Sequence, residues 1–253
     1  MPLVSTPAIV LSALRYSETS KIVRLATRDY GVQSAIAKGA LRPRSRFGAA
    51  LQVLSEGQAQ FITKENRELH TLTAFDLARL HAGLAGALDR YAAASALAEV
   101  MLRVAPPDPH PESFDQLRDA LAVLESSGQE EIEALGLRLL WRQVGVLGFA
   151  PSLGACVLDG SPLSPRGAMA FSAREGGALC PACAAQHEAA QLPEGSRHDL
   201  VKLLEPDAAL PVLDARHAAA HRRLLARYIR YHLAEGAELP ALEFWMRRPW
   251  ELS

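Results

Sequence analysis

The sequence predicts an α+β protein: an N-terminal five-stranded β-barrel, then an α-helical domain interrupted by an insert that carries every cysteine. Three observations carry this. Five apolar runs with period-two alternation and short polar turns fill the stretch up to Phe75. Ala/Leu-rich segments with apolar residues three and four apart follow. A Gly/Pro-rich island with neither period holds the three cysteines. With 253 residues, 49% of them hydrophobic, the chain has material for one large or two ordinary domains.

Thr6 to Arg15 predicts the first strand, with Ile9 and Leu11 on one face and Val10 and Leu14 on the other. Lys21 to Arg28 predicts the second. Val23 and Leu25 face one way there and Arg24 and Arg28 the other, the alternation of a sheet with one wet face. Asp29-Tyr30-Gly31 turns the chain into a third strand, Val32 to Ala37. Leu51 to Thr63 predicts a fourth, bent at Gly57 as at a barrel corner. After a polar turn at Lys64 to Glu68, the fifth runs from Leu69 to Phe75. Five short strands with a cationic connection between the third and fourth fit the oligonucleotide/oligosaccharide-binding barrel, the OB-fold; an SH3-like barrel reads almost the same.

Leu77 to Val104 predicts an amphipathic helix, stopped by the prolines between Ala105 and Pro111. Glu112 to Glu125 and Gln129 to Phe149 predict two more, and helices resume at Ser196 to Leu204 and Ala215 to Ala234. Ser152 to Gln191 shows no sustained packing pattern. These changes of texture divide the chain into a barrel domain at 1–76, helical segments at 77–151 and 193–253, and the cysteine module at 152–192.

Charge is divided along the chain. Up to Phe75 there are ten Lys and Arg against five Asp and Glu, net +5, and the rest holds 17 against 23, net −6. A basic front and an acidic back point to an anionic partner for the front. Its centre is the segment from Ala37 to Gly48, where Lys38, Arg42, Arg44 and Arg46 fall within nine residues without an acid. Such a loop faces water or an anion, because burying each charge without a partner is costly. In an extended segment Arg42, Arg44 and Arg46 share one side. A polyphosphate backbone is their complement, with Arg24 and Arg28 as a second tier; the plain alternative is a solvated loop. No run of 18 apolar residues and no basic leader occurs, so a cytoplasmic protein without a membrane partner is expected.

Cys180-Pro181-Ala182-Cys183 is a C-x-x-C knuckle, and Cys156 lies upstream in Cys156-Val157-Leu158-Asp159-Gly160. Structural zinc takes four ligands, of which three are these cysteines. Asp159 fits the fourth by knuckle geometry, because Gly160 follows it; His187 fits it by softness. The alternative is three reduced cysteines and no metal. A nucleobase deaminase needs H-x-E and P-C-x-x-C, and here the proline lies inside the knuckle while His110-Pro111-Glu112 sits far upstream. A thioredoxin-like site needs a βαβ pattern around the C-x-x-C, which is missing. Walker A, G-x-G-x-x-G, H-E-x-x-H and G-x-S-x-G motifs are also missing. In the last long helix Arg216, Arg223, Arg227 and Arg230 share a face, either a solvated stripe or a docking surface for an acidic peptide or nucleic acid.

The order of these parts resembles the RecO family of bacterial recombination mediators. The resemblance is carried by Ile9-Val10-Leu11, Tyr16-Ser17-Glu18-Thr19, Thr27-Arg28-Asp29-Tyr30-Gly31, Ala37-Lys38-Gly39-Ala40 and Arg44-Ser45-Arg46-Phe47-Gly48. Further along it is carried by Glu68-Leu69-His70-Thr71-Leu72, Gly148-Phe149-Ala150-Pro151 and Gly176-Gly177-Ala178-Leu179-Cys180-Pro181-Ala182-Cys183. Two departures stand out: Asp159 occupies the place of a knuckle cysteine, and an acidic segment, 235–243, replaces a basic, serine-containing one.

The resemblance implies an N-terminal OB-fold and a helical domain with one inserted structural Zn2+ per chain. It implies binding of single- and double-stranded DNA, strand annealing, no enzymatic turnover and a place at the nucleoid. It also implies loading of RecA together with RecR on strands coated by single-strand-binding protein, whose acidic tail would suit Arg223, Arg227 and Arg230. The rival readings are a zinc-stabilised protein adaptor that binds no DNA and a metal-dependent hydrolase or deaminase.

Overall fold

The computed structural model describes residues 2–63, 68–104, 108–234 and 236–251. Contacts divide the chain into two compact units, Met1–Ser126 and Ser127–Ser253, a division that falls inside the 77–151 segment set apart by composition. Residues 64–67 of the expected turn and 105–107 of the proline breaker lie outside the described residues.

In the first unit, β1 (Leu3–Arg15), β2 (Lys21–Thr27), β3 (Gly31–Ala37), β4 (Glu56–Ile62) and β5 (Leu69–Arg79) form a closed barrel in the order β1-β2-β3-β5-β4. β1 is long enough to pair twice, with β4 from Leu3 to Ile9 and with β2 from Ala8 to Arg15, and a register irregularity between Val10 and Ser12 lets it bend. Closure runs through a parallel β3–β5 pair, from Ser34↔Leu69 to Ile36↔Thr71. That crossing makes the barrel the Greek-key OB-fold. Val23, Leu25, Ala35, Phe61 and Leu72 fill its interior. Gly57 sits where a Cβ would collide with the Asp76 carbonyl oxygen and the Phe75 ring, and the β4–β5 register shifts beside it. The bend foreseen at Gly57 is therefore a close strand crossing.

The helix expected over Leu77 to Val104 begins later. Leu77, Asp76 and Arg79 still pair with β4, a 3-10 turn covers Ala82–Gly86, and only Leu88–Val104 is helical (α1). The break is at His81, whose φ of 50° is left-handed. Its Nδ1 lies 3.0 Å from Glu125 Oε2, and Glu125 also accepts from the Gly83 amide at 3.0 Å and pairs with Arg79 at 3.2 Å. Glu125 belongs to α2 (Pro111–Ser126), which buries Phe114, Leu117, Leu121 and Leu124.

In the second unit α3 (Ile132–Val144) follows a 3-10 turn at Gln129–Glu131 and runs into a π-helical turn, Gly145–Phe149, that ends at Gly148 with φ 91°. The cysteine region contains an antiparallel sheet of β6 (Met169–Ser172), β7 (Gly177–Leu179) and β8 (Ala190–Leu192), ordered β7-β6-β8, with the one-turn helix α4 (Pro181–Ala184). Strands this short leave no alternation to read. α5 (Glu194–Leu204) and α6 (Ala215–His232) pack on α3, and Trp141 meets Tyr228 edge-on at 5.1 Å. α7 (Pro240–Arg247), unforeseen from sequence, starts at a proline and buries Leu242 and Trp245. Among the described residues no helix is long and apolar enough to cross a membrane.

Candidate nucleic-acid interface and metal centre

The β3–β4 connection, residues 38–55, is a run of turns. Amides of Arg42, Ser45, Gly48 and Ala50 donate to the carbonyls of Gly39, Arg42, Ser45 and Phe47 at 2.9–3.1 Å. Gly39 and Gly48 supply φ of 73° and 48°. The extended, one-sided arginine ladder is thus replaced by successive turns, into which Pro43 fits with its fixed φ. Ala40, Phe47 and Leu51 plug the loop into the barrel core. Lys38, Arg42, Arg44 and Arg46 stay exposed, and among the described residues none of the four forms an ion pair. Arg46 lies over the Phe47 ring, 5.1 Å from its centroid.

Arg24 and Arg28 are placed differently. α1 packs against β1 and β2, while the Arg28 side chain keeps 43% of its surface exposed. Arg24 is half-buried, its Nε has no hydrogen-bond partner among the described residues, and burial, then the nearby Arg103, pushes its pKa down. Arg28 is chelated by Asp115 of α2, with Nε 3.3 Å from both carboxylate oxygens and Nη2 3.1 Å from Oδ2. Arg118 joins the same carboxylate at 3.0 Å. Of the barrel aromatics, Phe47 is buried, Tyr30 rests edge-on against Phe61, and Tyr16 is 62% exposed.

In the cysteine module, Cys156, Asp159, Cys180 and Cys183 bring four potential ligand atoms within 4.8 Å of one another. Two knuckles make this arrangement. In the first, Gly160 adopts φ 73° and donates to the Cys156 carbonyl at 2.9 Å. In the second, Pro181 opens α4 and the Cys183 amide donates to Cys180 Sγ at 3.4 Å. Asp159 Oδ2 lies 3.3 Å from Cys180 Sγ and 3.5 Å from Cys183 Sγ. The Ser161 hydroxyl and amide, then the Cys156 and Cys180 thiols, hold the Asp159 carboxyl well below the usual carboxylate range. The Cys180 thiol, burial, Cys156 and Asp159 together push Cys183 up to about 12. Three thiols and a carboxylate crowded in this way can hold a metal ion. A tetrahedral ion with thiolate bonds of ~2.3 Å separates its ligands by about 3.8 Å, so only a small contraction is needed. His187 is not part of the cluster; its Nδ1 faces Glu175 at 3.4 Å. Among the described residues it is Asp159, not His187, that stands with the three cysteines.

On α6, Arg216, Arg223, Arg227 and Arg230 are exposed on the face away from Leu225 and Tyr228. Three of them, with Tyr231 and Met246 of α7, line a groove of about 420 Å³. Arg227 pairs with Glu188 at 3.1 Å and Arg230 with Glu243 at 3.2 Å. Met246 could not be tied to this groove from sequence, because the groove joins α7 to α6, which are separate segments of the chain.

A closed OB-type barrel whose exposed loop cations form no ion pair among the described residues, followed in sequence by helices and a thiol-rich cluster, defines an OB-fold protein with a module whose side chains could hold a metal ion. Family models narrow the class: Recombination protein O N terminal matches residues 1–81 and Recombination protein O C terminal matches residues 85–239. The DNA repair protein RecO of Rubrobacter xylanophilus is 35% identical over 242 residues, covering 94% of this chain and 93% of that protein. Those of an Anaeromyxobacter species and of Symbiobacterium thermophilum are 33% and 32% identical, over 93% and 90% of this chain and 93% and 92% of their own lengths. The chain belongs to the RecO family, which places it in DNA repair and recombination.

Proposed function

We propose that this protein is a recombination mediator that binds single- and double-stranded DNA, anneals complementary strands and, with RecR, helps load RecA onto strands coated by single-strand-binding protein. Its role is binding without turnover, in the cytoplasm at the nucleoid. The observation that carries the reading is the set of four exposed cations, Lys38, Arg42, Arg44 and Arg46, free of carboxylates on a loop plugged into the barrel. Phosphates are the natural partners of such a set, so affinity depends on salt more than on sequence.

The test is salt-titrated oligonucleotide binding and annealing with the full chain and with Arg42→Ala/Arg44→Ala/Arg46→Ala. Four neutralised phosphates contribute a slope of roughly −3 in log affinity against log salt on single strands, and the triple variant should lose most of it. An unchanged slope refutes the loop assignment. No retention of oligonucleotide at low salt favours the rival adaptor.

Zn2+ suits the Cys156, Asp159, Cys180 and Cys183 cluster, since three thiolates select a soft or borderline ion and four protein ligands close the site as a structural ion requires. A closed site also leaves no position for a hydrolytic water. The groove at Arg223, Arg227, Arg230, Tyr231 and Met246 joins guanidinium groups to apolar lining, which supports its use by the acidic tail of the single-strand-binding protein.

A further inference from the structure

The second half of the β3–β4 connection opens a groove that the assignment of the loop does not use. Leu51 and Val53 of the connection, Leu80 and Leu84 after β5, Tyr91 of α1 and Lys21 of β2 enclose about 630 Å³. Leu51 and Leu84 form a buried base, while Val53, Leu80 and Tyr91 are 36–40% exposed around it. The wall is stiff. His81, which also lines the groove, is held between Glu125 and Glu56.

Both halves of the connection hang from the start of β2. The Leu41 amide donates to the Thr19 carbonyl at 2.9 Å, and Lys21, two residues on, donates from Nζ to the Leu51 carbonyl at 3.2 Å. The loop that carries the four cations and the apolar groove with its open aromatic ring are therefore anchored at the same place, with Lys21 in the groove wall. The complementary ligand has an anionic backbone and flat apolar appendages. Duplex DNA hides the faces of its bases, whereas a single strand offers them.

We infer that this groove takes an unstacked nucleobase of single-stranded DNA against Tyr91, with the flanking phosphates on Lys21 and the loop cations. The inference rests on the loop's role as a phosphate site and adds a base-binding position to it. Base–aromatic stacking tolerates any sequence, so the groove selects single strands without selecting bases. It also adds an aromatic platform to the exposed Tyr16, since Phe47 is buried and Tyr30 is packed on Phe61.

The test uses the full chain, Tyr91→Ala and Tyr91→Phe, against labelled oligothymidylate, an abasic strand of equal length, and a duplex, each over a salt series. Tyr91→Ala should weaken oligothymidylate binding about tenfold or more while leaving its salt slope unchanged. It should leave the abasic strand and the duplex unaffected, and Tyr91→Phe should behave as the native chain. Equal native affinity for thymidylate and abasic strands overturns the inference. So does Tyr91→Ala binding all three like the native chain, which would give the groove to a protein partner. So does an equal loss on all three by a Tyr91→Ala chain that melts at the native temperature, which would give Tyr91 no preference for an unstacked base. If the loop triple variant loses its salt slope while Tyr91→Ala is silent, the loop assignment stands and the groove assignment alone falls.

Discussion

Asp159 places Oδ2 3.3 Å from Cys180 Sγ while Ser161 occupies its Oδ1, so a carboxylate completes the knuckle pair where a fourth thiolate would be expected. Oxygen is the harder donor, and one oxygen among three sulfurs weakens the site for a thiophilic ion without removing it. Protein purified without chelator should contain about one zinc per chain, and Cys180→Ser should lose it. Asp159→Cys should keep zinc against a competing chelator longer than the native chain. Zinc that stays with Cys180→Ser, measured by metal analysis, would show that another set of ligands holds it.

The pairing of Arg28 with Asp115 gives the barrel surface a built-in restraint. Arg28 → Asp115 hydrogen bonds hold the guanidinium, so Arg28→Ala should leave the salt slope of DNA binding close to native. Asp115→Ala should release Arg28 and steepen the slope on single strands by about 0.7, the contribution of one further phosphate. Fluorescence titration of both variants decides it: a flattened slope in Arg28→Ala would mean the pair opens to DNA.

The strands were legible where apolar and polar residues alternate, and β4 and the first part of β2 keep that alternation in the fold: Val23 and Leu25 are buried while Arg24 is not. What the pattern lacks is knowledge of what covers the other face. Arg24 reads as wet until α1, distant in sequence, packs against β1 and β2, and Arg28, still partly exposed, meets Asp115 of α2 only in the fold. The cysteine cluster was legible from spacing, and choosing Asp159 over His187 required coordinates, because Glu175 captures His187 only in three dimensions. The groove beside Tyr91 left no trace in sequence, since its lining comes from five separated segments.

His221 in α6 is buried, and among the described residues neither ring nitrogen has a hydrogen-bond partner. Burial lowers its pKa from the ordinary 6.5, with Asp199 opposing and His217 adding. The folded chain therefore binds fewer protons than the unfolded one between the depressed value and 6.5, so stability should be full above 6.5 and decline as pH falls toward the depressed value. Melting temperatures measured from pH 7.5 to 5 should show that decline, and His221→Leu should flatten it. A decline of equal size in His221→Leu assigns the effect to other groups.

Gly177 ties the short sheet to the metal cluster. A Cβ there would collide with the Ser152 carbonyl and lie 2.7 Å from Val157 Cγ1, inside any real contact. Those two residues bracket Cys156 and hold it through the hydrogen bonds Ala178 N to Ser152 O at 2.8 Å and Val157 N to Ala178 O at 3.0 Å. Gly177→Ala must push that segment outward, and Cys156 with it. The variant should lose zinc, or release it to a weaker chelator than the native chain requires, while the salt slope of oligonucleotide binding, set by the barrel loop, stays unchanged. Gly195→Ala, where a Cβ meets nothing within 4 Å, is the control and should retain zinc. Native zinc retention in Gly177→Ala would mean that Cys156 does not depend on the sheet for its place among the ligands.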